Sequence, residues 1–152
     1  MDKATFRRAR ERALYILEGR DCSYTELYEK LSKNYDDEIC LAVCDNMVEL
    51  SLIDDRRYAE KLARHYITVK KYGMYRAKQE MTRKGIPPEM AEEFLEEYED
   101  DTIERITELI EKKYARYLND EKGIRKVKSA LVRMGYSYGD INAVLEEYEN
   151  EW

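Results

Sequence analysis

The chain has 152 residues and a formal net charge of −6, and 39% of its residues are charged. Glycine and proline number only six and two, whereas helix-favouring residues are abundant, so we expect an all-α protein. No apolar stretch reaches the ~20 residues that span a bilayer, and the N-terminus lacks a signal-peptide core, so we expect a cytoplasmic protein with no membrane segment.

The first predicted unit, residues 1–53, contains three runs in which apolar side chains recur every three or four positions, the spacing of one helix face. We expect the first helix to end at Gly19. The second is expected to end at Asn34, because Asn tolerates the left-handed backbone that often ends a helix. The apolar positions of the three helices are Phe6, Ala9, Ala13, Ile16 and Leu17, then Leu27 and Leu31, then Ile39, Val43 and Cys44.

The second predicted unit, residues 54–100, begins with two aspartates that can cap a helix N-terminus. We expect Gly73 to end its long helix and Gly85 to end the short helix that follows. Pro87 or Pro88 then opens the third helix, since proline is tolerated in a first helical turn. The apolar positions are Tyr58, Ala59, Leu62, Tyr66 and Val69 in the long helix, and Ala77 and Met81 in the short one.

The third predicted unit, residues 101–152, repeats the second at an offset of fifty residues. Tandem units of this kind stack on their neighbours, so we expect three helix-turn-helix-like repeats in an elongated or curved row. The long helix of the third unit is marked by Ile103, Ile106, Ile110, Tyr114 and Tyr117. The matching positions are residues 95–99 with 145–149, both Leu-Glu-Glu-Tyr-Glu, Gly73 with Gly123, and Gly85 with Gly135.

The second unit carries two motifs at a fixed distance. The first is Leu-Ile-Asp-Asp-Arg-Arg-Tyr-Ala at residues 52–59; the second joins Tyr-Gly-Met-Tyr-Arg at 72–76 to Glu-Met-Thr-Arg-Lys-Gly-Ile at 80–86. This order and spacing resemble the RecX family of bacterial regulatory proteins. The resemblance implies non-enzymatic three-helix repeats that bind the RecA recombinase filament on DNA. It also implies that they inhibit or modulate strand exchange, and with it DNA repair and the SOS response.

Charge is distributed unevenly along the chain. Residues 56–90 contain ten Lys or Arg and three Glu, whereas residues 91–121 contain twelve acidic and four basic residues. Residues 122–133 contain five basic residues and no acidic one. If the units stack in register, the fold has a basic face that suits an acidic partner or a phosphate backbone. The alternative is an ordinary solvated surface with weak ion pairs.

We expect contacts with RecA, or with single- or double-stranded DNA, on that basic face. Arg57 and Arg76 match arginine positions of the RecX motif, and Arg76 is the better candidate, because a cation gains nothing from the dipole at a helix N-terminus. Tyr72 and Tyr75 lie among the cations, where aromatic rings can stack on exposed bases. The candidate residues are Arg57, Lys70, Lys71, Arg76, Lys78, Arg83, Lys84, Lys126 and Lys128.

No catalytic or metal site is expected. His65 is the one histidine of the chain, and an activated nucleophile usually needs a histidine base within reach. Cys22, Cys40 and Cys44 fit a reducing compartment and are interpreted as small core residues. We expect no cofactor and a monomeric protein.

Two other functions remain open from the residues alone. Three-helix units can bind DNA autonomously, as helix-turn-helix modules do. They can also serve as a helical scaffold for another protein partner.

Substitution of Gly85 by valine tests the interpretation of the glycines as helix ends. Gly85→Val should lower thermal stability, because a β-branched residue is costly where φ is positive. Thermal denaturation followed by circular dichroism measures the change. An unchanged midpoint would show that Gly85 does not end a helix in left-handed backbone.

Overall fold

The computed structural model describes residues 1–149, and residues 150–152, the end of the third predicted unit, lie outside the described part. Within residues 1–149 all regular secondary structure is helical. No helix of this part is long and apolar enough to cross a membrane. The helices fall into three groups of three, which confirms the predicted all-α fold of three-helix repeats.

Unit one comprises α1 (Lys3–Gly19), α2 (Tyr24–Ser32) and α3 (Asp37–Glu49). Each helix begins after a side chain whose oxygen accepts a hydrogen bond from a first-turn N–H, which satisfies an otherwise unpaired donor. These caps are Asp2, Ser23 and Asp36. The third helix packs against both others, and the core between them is built around Ala9, Ala13, Leu27, Leu31 and Met47.

Unit two comprises α4 (Asp55–Arg64), α5 (Met74–Arg83) and α6 (Pro88–Leu95). Asp54 caps α4 and Pro88 is the first residue of α6, as predicted. Again the third helix packs against the first two. The fully buried residues of this core include Ala59, Ile67, Ala77, Met81, Ile86 and Leu95.

Unit three comprises α7 (Thr102–Leu109), α8 (Glu121–Arg133) and α9 (Tyr138–Glu149). A 3-10 turn at Glu96–Asp101 connects it to unit two, and Asp120 caps α8. Its core includes Ile106, Ile110, Leu131, Ile141 and Leu145. Each unit therefore buries an apolar cluster of its own.

The long helices of units two and three both widen into a π-helical turn, at His65–Val69 and Ile110–Tyr114. An inserted residue rotates the side chains that follow it away from the original helix face. The predicted core positions Val69 and Tyr117 are accordingly 65% and 44% exposed. Ile103, at the edge of its helix face, is 43% exposed.

Gly73 does not end α4, contrary to the prediction. The left-handed residue after the π turn is Lys71, with φ 61°, whose carbonyl accepts a hydrogen bond from the Tyr136 hydroxyl at 2.7 Å. A non-glycine residue at positive φ is held by its surroundings, which a local sequence pattern does not reveal. Gly73 itself has φ −76° and caps the start of α5.

Some of the remaining predictions about helix ends are confirmed and others are wrong. Gly85 and Gly135 have φ 93° and 102° and confirm that left-handed residues follow α5 and α8. Gly123, which the repeat pairs with Gly73, lies inside the first turn of α8 and does not end a helix. Asn34 follows the end of α2 by two positions, as Gly85 follows the end of α5. The left-handed backbone expected at Asn34 was wrong, because Ser51 and Lys71 are the non-glycine residues at positive φ within residues 1–149.

The second helices of the three units meet end to end, with α8 leading into α5 and α5 into α2. At the first junction, the N–H of Gly73 donates to the Met134 carbonyl at 2.8 Å. At the second, the Ser23 hydroxyl donates to the Lys84 carbonyl at 2.6 Å. The free carbonyls of one helix thus meet donors at the start of the next, which also aligns the helix dipoles head to tail.

The junction between α8 and α5 leaves no room for side chains on either glycine. A Cβ on Gly73 would lie 2.5 Å from the carbonyl carbon and oxygen of Gly135, and a Cβ on Gly135 would lie 2.4 Å from the Arg76 nitrogen. Gly73 and Gly135 therefore share a tertiary role. They allow consecutive second helices to approach backbone to backbone.

Replacement of Gly73 by alanine should destabilise the protein by about 1–3 kcal/mol, the usual cost of overpacking, because the added methyl collides with backbone. Gly139→Ala is the matched control, since nothing lies within 4 Å of its Cβ position, and it should be neutral or stabilising by up to ~1 kcal/mol. Urea denaturation of both variants measures the difference. Equal stabilities would contradict the close approach of α5 and α8.

Candidate functional site

Apart from Arg57 on α4, the predicted contact residues lie on α5, on α8, or in the segments that flank α5. Because α8 ends where α5 begins, the fold joins two basic segments that are about fifty residues apart in the sequence. Much of the positive charge of units two and three therefore lies on two helices that meet end to end.

One shallow cleft, with a volume of about 520 Å³, runs along α8. Spacings of three and four residues place its side chains on one helix face. Lys126 is a predicted contact. The neighbouring cations Lys122, Arg125 and Arg133 were not predicted. Helical spacing within a segment that has no acidic residue was the signal that could have identified them. The lining residues are Lys122, Arg125, Lys126, Ser129 and Arg133.

A second cleft, with a volume of about 640 Å³, lies on α5. The Tyr75 ring at its edge is 75% exposed and free to stack on a flat group. Tyr75, Gln79 and Arg83 match positions in the α8 cleft at the repeat offset of fifty, so the two clefts are equivalent surfaces of consecutive units. The second cleft is lined by Tyr75, Lys78, Gln79, Thr82, Arg83 and Pro88. We name the residues of both clefts the α5–α8 face.

Some predicted contacts are already in ion pairs at the surface. Exposed pairs of this kind contribute only ~0–1 kcal/mol each, so a phosphate or carboxylate of a partner can replace the internal acid. By contrast, Lys70, Lys71 and Lys126 form no ion pair with another residue between 1 and 149. The pairs are Lys78–Glu92, Arg83–Glu80 at 3.1 Å and Lys128–Glu149 at 3.7 Å.

Two of the predicted contact residues, Lys84 and Arg57, are involved in hydrogen bonds within the fold. The carbonyl of Lys84 accepts the Ser23 hydrogen bond at the α5–α2 junction, so its backbone is structural. The Arg57 guanidinium donates to the Ser51 carbonyl at 3.4 Å. Arg57 therefore belongs to the turn between α3 and α4 and not to the α5–α8 face.

Arg76 holds the junction between α5 and α8. Its guanidinium donates to the Arg133 carbonyl at 3.0 Å, lies 4.4 Å from the centre of the Tyr72 ring and approaches Glu80 at 3.5 Å. Charge-assisted hydrogen bonds are roughly twice as strong as neutral ones. Its side chain thus has a structural role that its place in the sequence did not indicate, because Arg133 is 57 residues away.

A buried arginine that the sequence analysis missed lies beside the same junction. Arg105 is 9% exposed, donates to Thr102 at 3.1 Å, and has an Nε without a hydrogen-bond partner in residues 1–149. Burial raises the pKa of Tyr136 above its usual value, although the nearby charge of Arg105 acts in the opposite direction. Arg105 is the one basic residue among the many acidic residues of 91–111. This feature of the sequence could have identified it.

No three His, Cys, Asp or Glu side chains of residues 1–149 are placed to hold a metal ion. The three cysteines are buried and form no disulfide, which confirms their interpretation as core residues. Burial raises the pKa of Cys44 to about 12, and a protonated thiol is a poor nucleophile.

Truncation of Arg76 should destabilise the chain. Arg76→Ala removes the bond to the Arg133 carbonyl, and hydrogen bonds to charged groups contribute ~1.5–3 kcal/mol. Lys126→Ala is the control and should change stability by less than ~0.5 kcal/mol, as surface substitutions usually do. Urea denaturation compares the two variants, and equal losses would show that Arg76 does not hold the junction.

Comparison with known proteins follows the same division into units. The model for the second three-helix domain of RecX matches residues 54–95, and that for the third three-helix domain matches residues 99–145. The regulatory protein RecX of Trichlorobacter lovleyi is 32% identical over 141 residues, which cover 89% of this chain and 92% of the relative. That of Clostridioides difficile is 31% identical over 153 residues, covering 99% and 72%.

Solved structures share the fold. The crystal structure of RecX from Lactobacillus salivarius superposes with a TM-score of 0.83 at 26% identity, covering 95% of this chain and 97% of that one. A second crystal structure, of regulatory protein RecX, has a TM-score of 0.80 at 22% identity, covering 93% and 71%, and agrees in fold. Together with the sequence matches, these likenesses establish that the chain belongs to the RecX family of regulatory proteins.

Proposed function

We propose that this regulator binds the RecA recombinase filament on DNA and inhibits or modulates strand exchange, and through it homologous recombination, DNA repair and the SOS response. Membership in the RecX family is the observation that carries the proposal. The RecA partner itself comes from the family resemblance of residues 52–86.

The α5–α8 face is the contact surface in this proposal. The two helices contain ten and thirteen residues, about 15 and 20 Å at 1.5 Å per residue, and they meet end to end. Two equivalent clefts on consecutive units suit a partner that itself repeats, such as a filament of identical subunits on a phosphate backbone. Cations on one face also raise the rate of encounter with such a polyanion.

Three groups of residues, on α5, on α8 and in the segments that flank α5, contribute differently to this contact. Lys70, Lys71, Lys126 and the missed cations of α8 meet the partner directly. Lys78, Arg83 and Lys128 exchange their internal acids for acids or phosphates of the partner, and Lys84 adds its charge at the end of α5. Arg76 supports the surface by holding the junction, while Arg57 makes no contact with it.

We also propose that the protein acts as a monomer, with three units at residues 1–53, 54–100 and 101–152. In unit two the start of α5, at Gly73, receives the next unit. At the corresponding Gly123 the Tyr117 carbonyl lies 1.6 Å from the Cβ position. The backbone of the turn before α8 therefore lies against Gly123, so this glycine does not receive another helix as Gly73 does.

Strand exchange and DNA-dependent ATP hydrolysis by purified RecA test the proposal. The protein should slow both reactions at substoichiometric amounts, because one regulator bound to a filament affects many subunits. RecA rates without change across a series of regulator concentrations would refute the proposed function.

Charge reversal on α8 tests the surface. Lys122→Glu with Lys126→Glu should raise the concentration needed for half-inhibition at least tenfold, which corresponds to a loss of about 1.4 kcal/mol in binding. Arg7→Glu with Arg8→Glu makes the same change of charge on exposed positions of α1 and should leave inhibition intact. Circular dichroism verifies that both variants are folded, and equal inhibition by the two would exclude the α5–α8 face.

Autonomous DNA binding is the second candidate function. The exposed Tyr75 ring among cations favours it, since aromatic side chains stack on bases of single strands. Fluorescence anisotropy with labelled single-stranded and duplex oligonucleotides, without RecA, should then show binding that weakens steeply with salt. Absence of binding even at low salt would remove this candidate and leave the RecA proposal standing.

A further inference from the structure

Unit one carries an apolar surface that the α5–α8 face does not include. Leu41, Val48, Leu50 and Leu52 are 41%, 46%, 46% and 41% exposed, and we name these four residues the α3 patch. They lie within twelve consecutive residues at the outer side of α3 and in the turn that follows it. Clusters of exposed apolar side chains on a soluble protein mark interaction sites more often than isolated ones do.

The inner side of α3 already completes the core of unit one. Ile39, Cys40, Val43, Cys44 and Met47 are at most 3% exposed and face α1 and α2. The α3 patch is therefore not needed to bury this helix. The exposed part of its side chains is thus free to be covered by a partner.

The turn after α3 holds the patch in a defined shape. Ser51 has φ 59°, and the N–H groups of Leu52 and Ile53 both donate to the Met47 carbonyl, at 2.9 and 3.2 Å. Ile53 is 3% exposed and anchors the turn in the core. Leu50 and Leu52 are thus presented on fixed backbone beside Ser51, which lowers the entropic cost of binding.

A cleft of about 390 Å³ opens beside the patch. Val48 and Ile53 supply its apolar wall. Asp54 and Asp55 line the cleft as well, and burial raises the pKa of Asp55. The cleft also contains Tyr24, whose hydroxyl donates to Asp45 at 2.7 Å.

The surroundings of the α3 patch contain more acidic than basic side chains. Residues 36–55 contain seven Asp or Glu and no Lys or Arg. Three arginines of neighbouring segments lie close by, and each is engaged within the chain. Arg10 donates to Asn46 at 2.8 Å, Arg57 donates to the Ser51 carbonyl at 3.4 Å, and Arg56, which lines the cleft, forms two hydrogen bonds with Glu93 at 2.9 and 3.0 Å. A partner that covers these leucines must therefore bring positive charge to the rim.

We propose that the α3 patch docks a protein segment whose apolar side chains are flanked by Lys or Arg, such as one face of a cationic amphipathic helix. Leucine or similar side chains of the segment cover Val48 and Leu52. The Lys or Arg side chains of the segment lie near the acidic residues around the patch. Nucleic acid does not suit this surface, because its phosphates would face Asp45, Asp54 and Asp55. The proposal goes beyond the RecA function and does not depend on the α5–α8 face.

Fluorescence anisotropy with designed peptides tests the docking. The probe is a labelled amphipathic peptide of Leu and Lys, about 14 residues or four helical turns long. One comparison peptide replaces Leu by Ser and keeps the charge; another replaces Lys by Glu and keeps the apolar face. The Leu/Lys peptide should bind at least tenfold more tightly than either, a difference of about 1.4 kcal/mol.

The variant Val48→Ser with Leu52→Ser should weaken binding of the Leu/Lys peptide at least fivefold. Val69→Ser with Ile103→Ser removes similar exposed side chains, 65% and 43% exposed, at positions outside the patch and should leave binding unchanged. Circular dichroism confirms that each variant is folded. Because the assay contains no RecA, its outcome is independent of the RecA tests.

Two results would overturn the proposal. One is equal binding of the peptide to the wild-type protein and to the patch variant. The other is sedimentation of the wild-type protein as a dimer that the patch variant abolishes, which would assign the patch to a second copy of the chain.

Discussion

The close contact between Gly73 and Gly135 governs how the surfaces of this protein are arranged. At this point the backbone of one second helix meets the carbonyl end of the next, and a single added methyl would collide with backbone atoms 2.5 Å away. Arg76 reinforces the contact by binding the Arg133 carbonyl. Since α5 and α8 are joined in this way, the cations of two separate sequence segments lie along one pair of helices, where an extended acidic partner can meet both.

The fold places a basic surface and an acidic surface on different units, which the net charge of the whole chain does not reveal. The net charge of −6 would disfavour a polyanionic partner, yet the α5–α8 face is basic, while the α3 patch combines leucines with an acidic rim. Surfaces of opposite charge on different units suit partners of different chemistry.

Local features were predictable because their causes lie within a few residues. Periodic apolar positions predicted the helices, Asp54 and Pro88 marked two helix starts, and Gly85 was identified as a left-handed residue. The helix end expected at Gly73 was wrong, as was the left-handed backbone expected at Asn34. Sequence propensity names residues that can adopt positive φ, but Lys71 adopts it in place of Gly73 because Tyr136 holds its carbonyl.

By itself, therefore, the sequence determined the helices, the repeat, the family resemblance and the uneven charge, all of which depend on residue type and short-range spacing. Only the tertiary structure decided that Gly73 serves a close approach of helices, that Arg76 binds across 57 residues, and that Arg105 is buried. It also decided that leucines after α3 stay exposed. These properties depend on which backbone atoms and side chains of other units come within contact distance, and packing between units sets those distances.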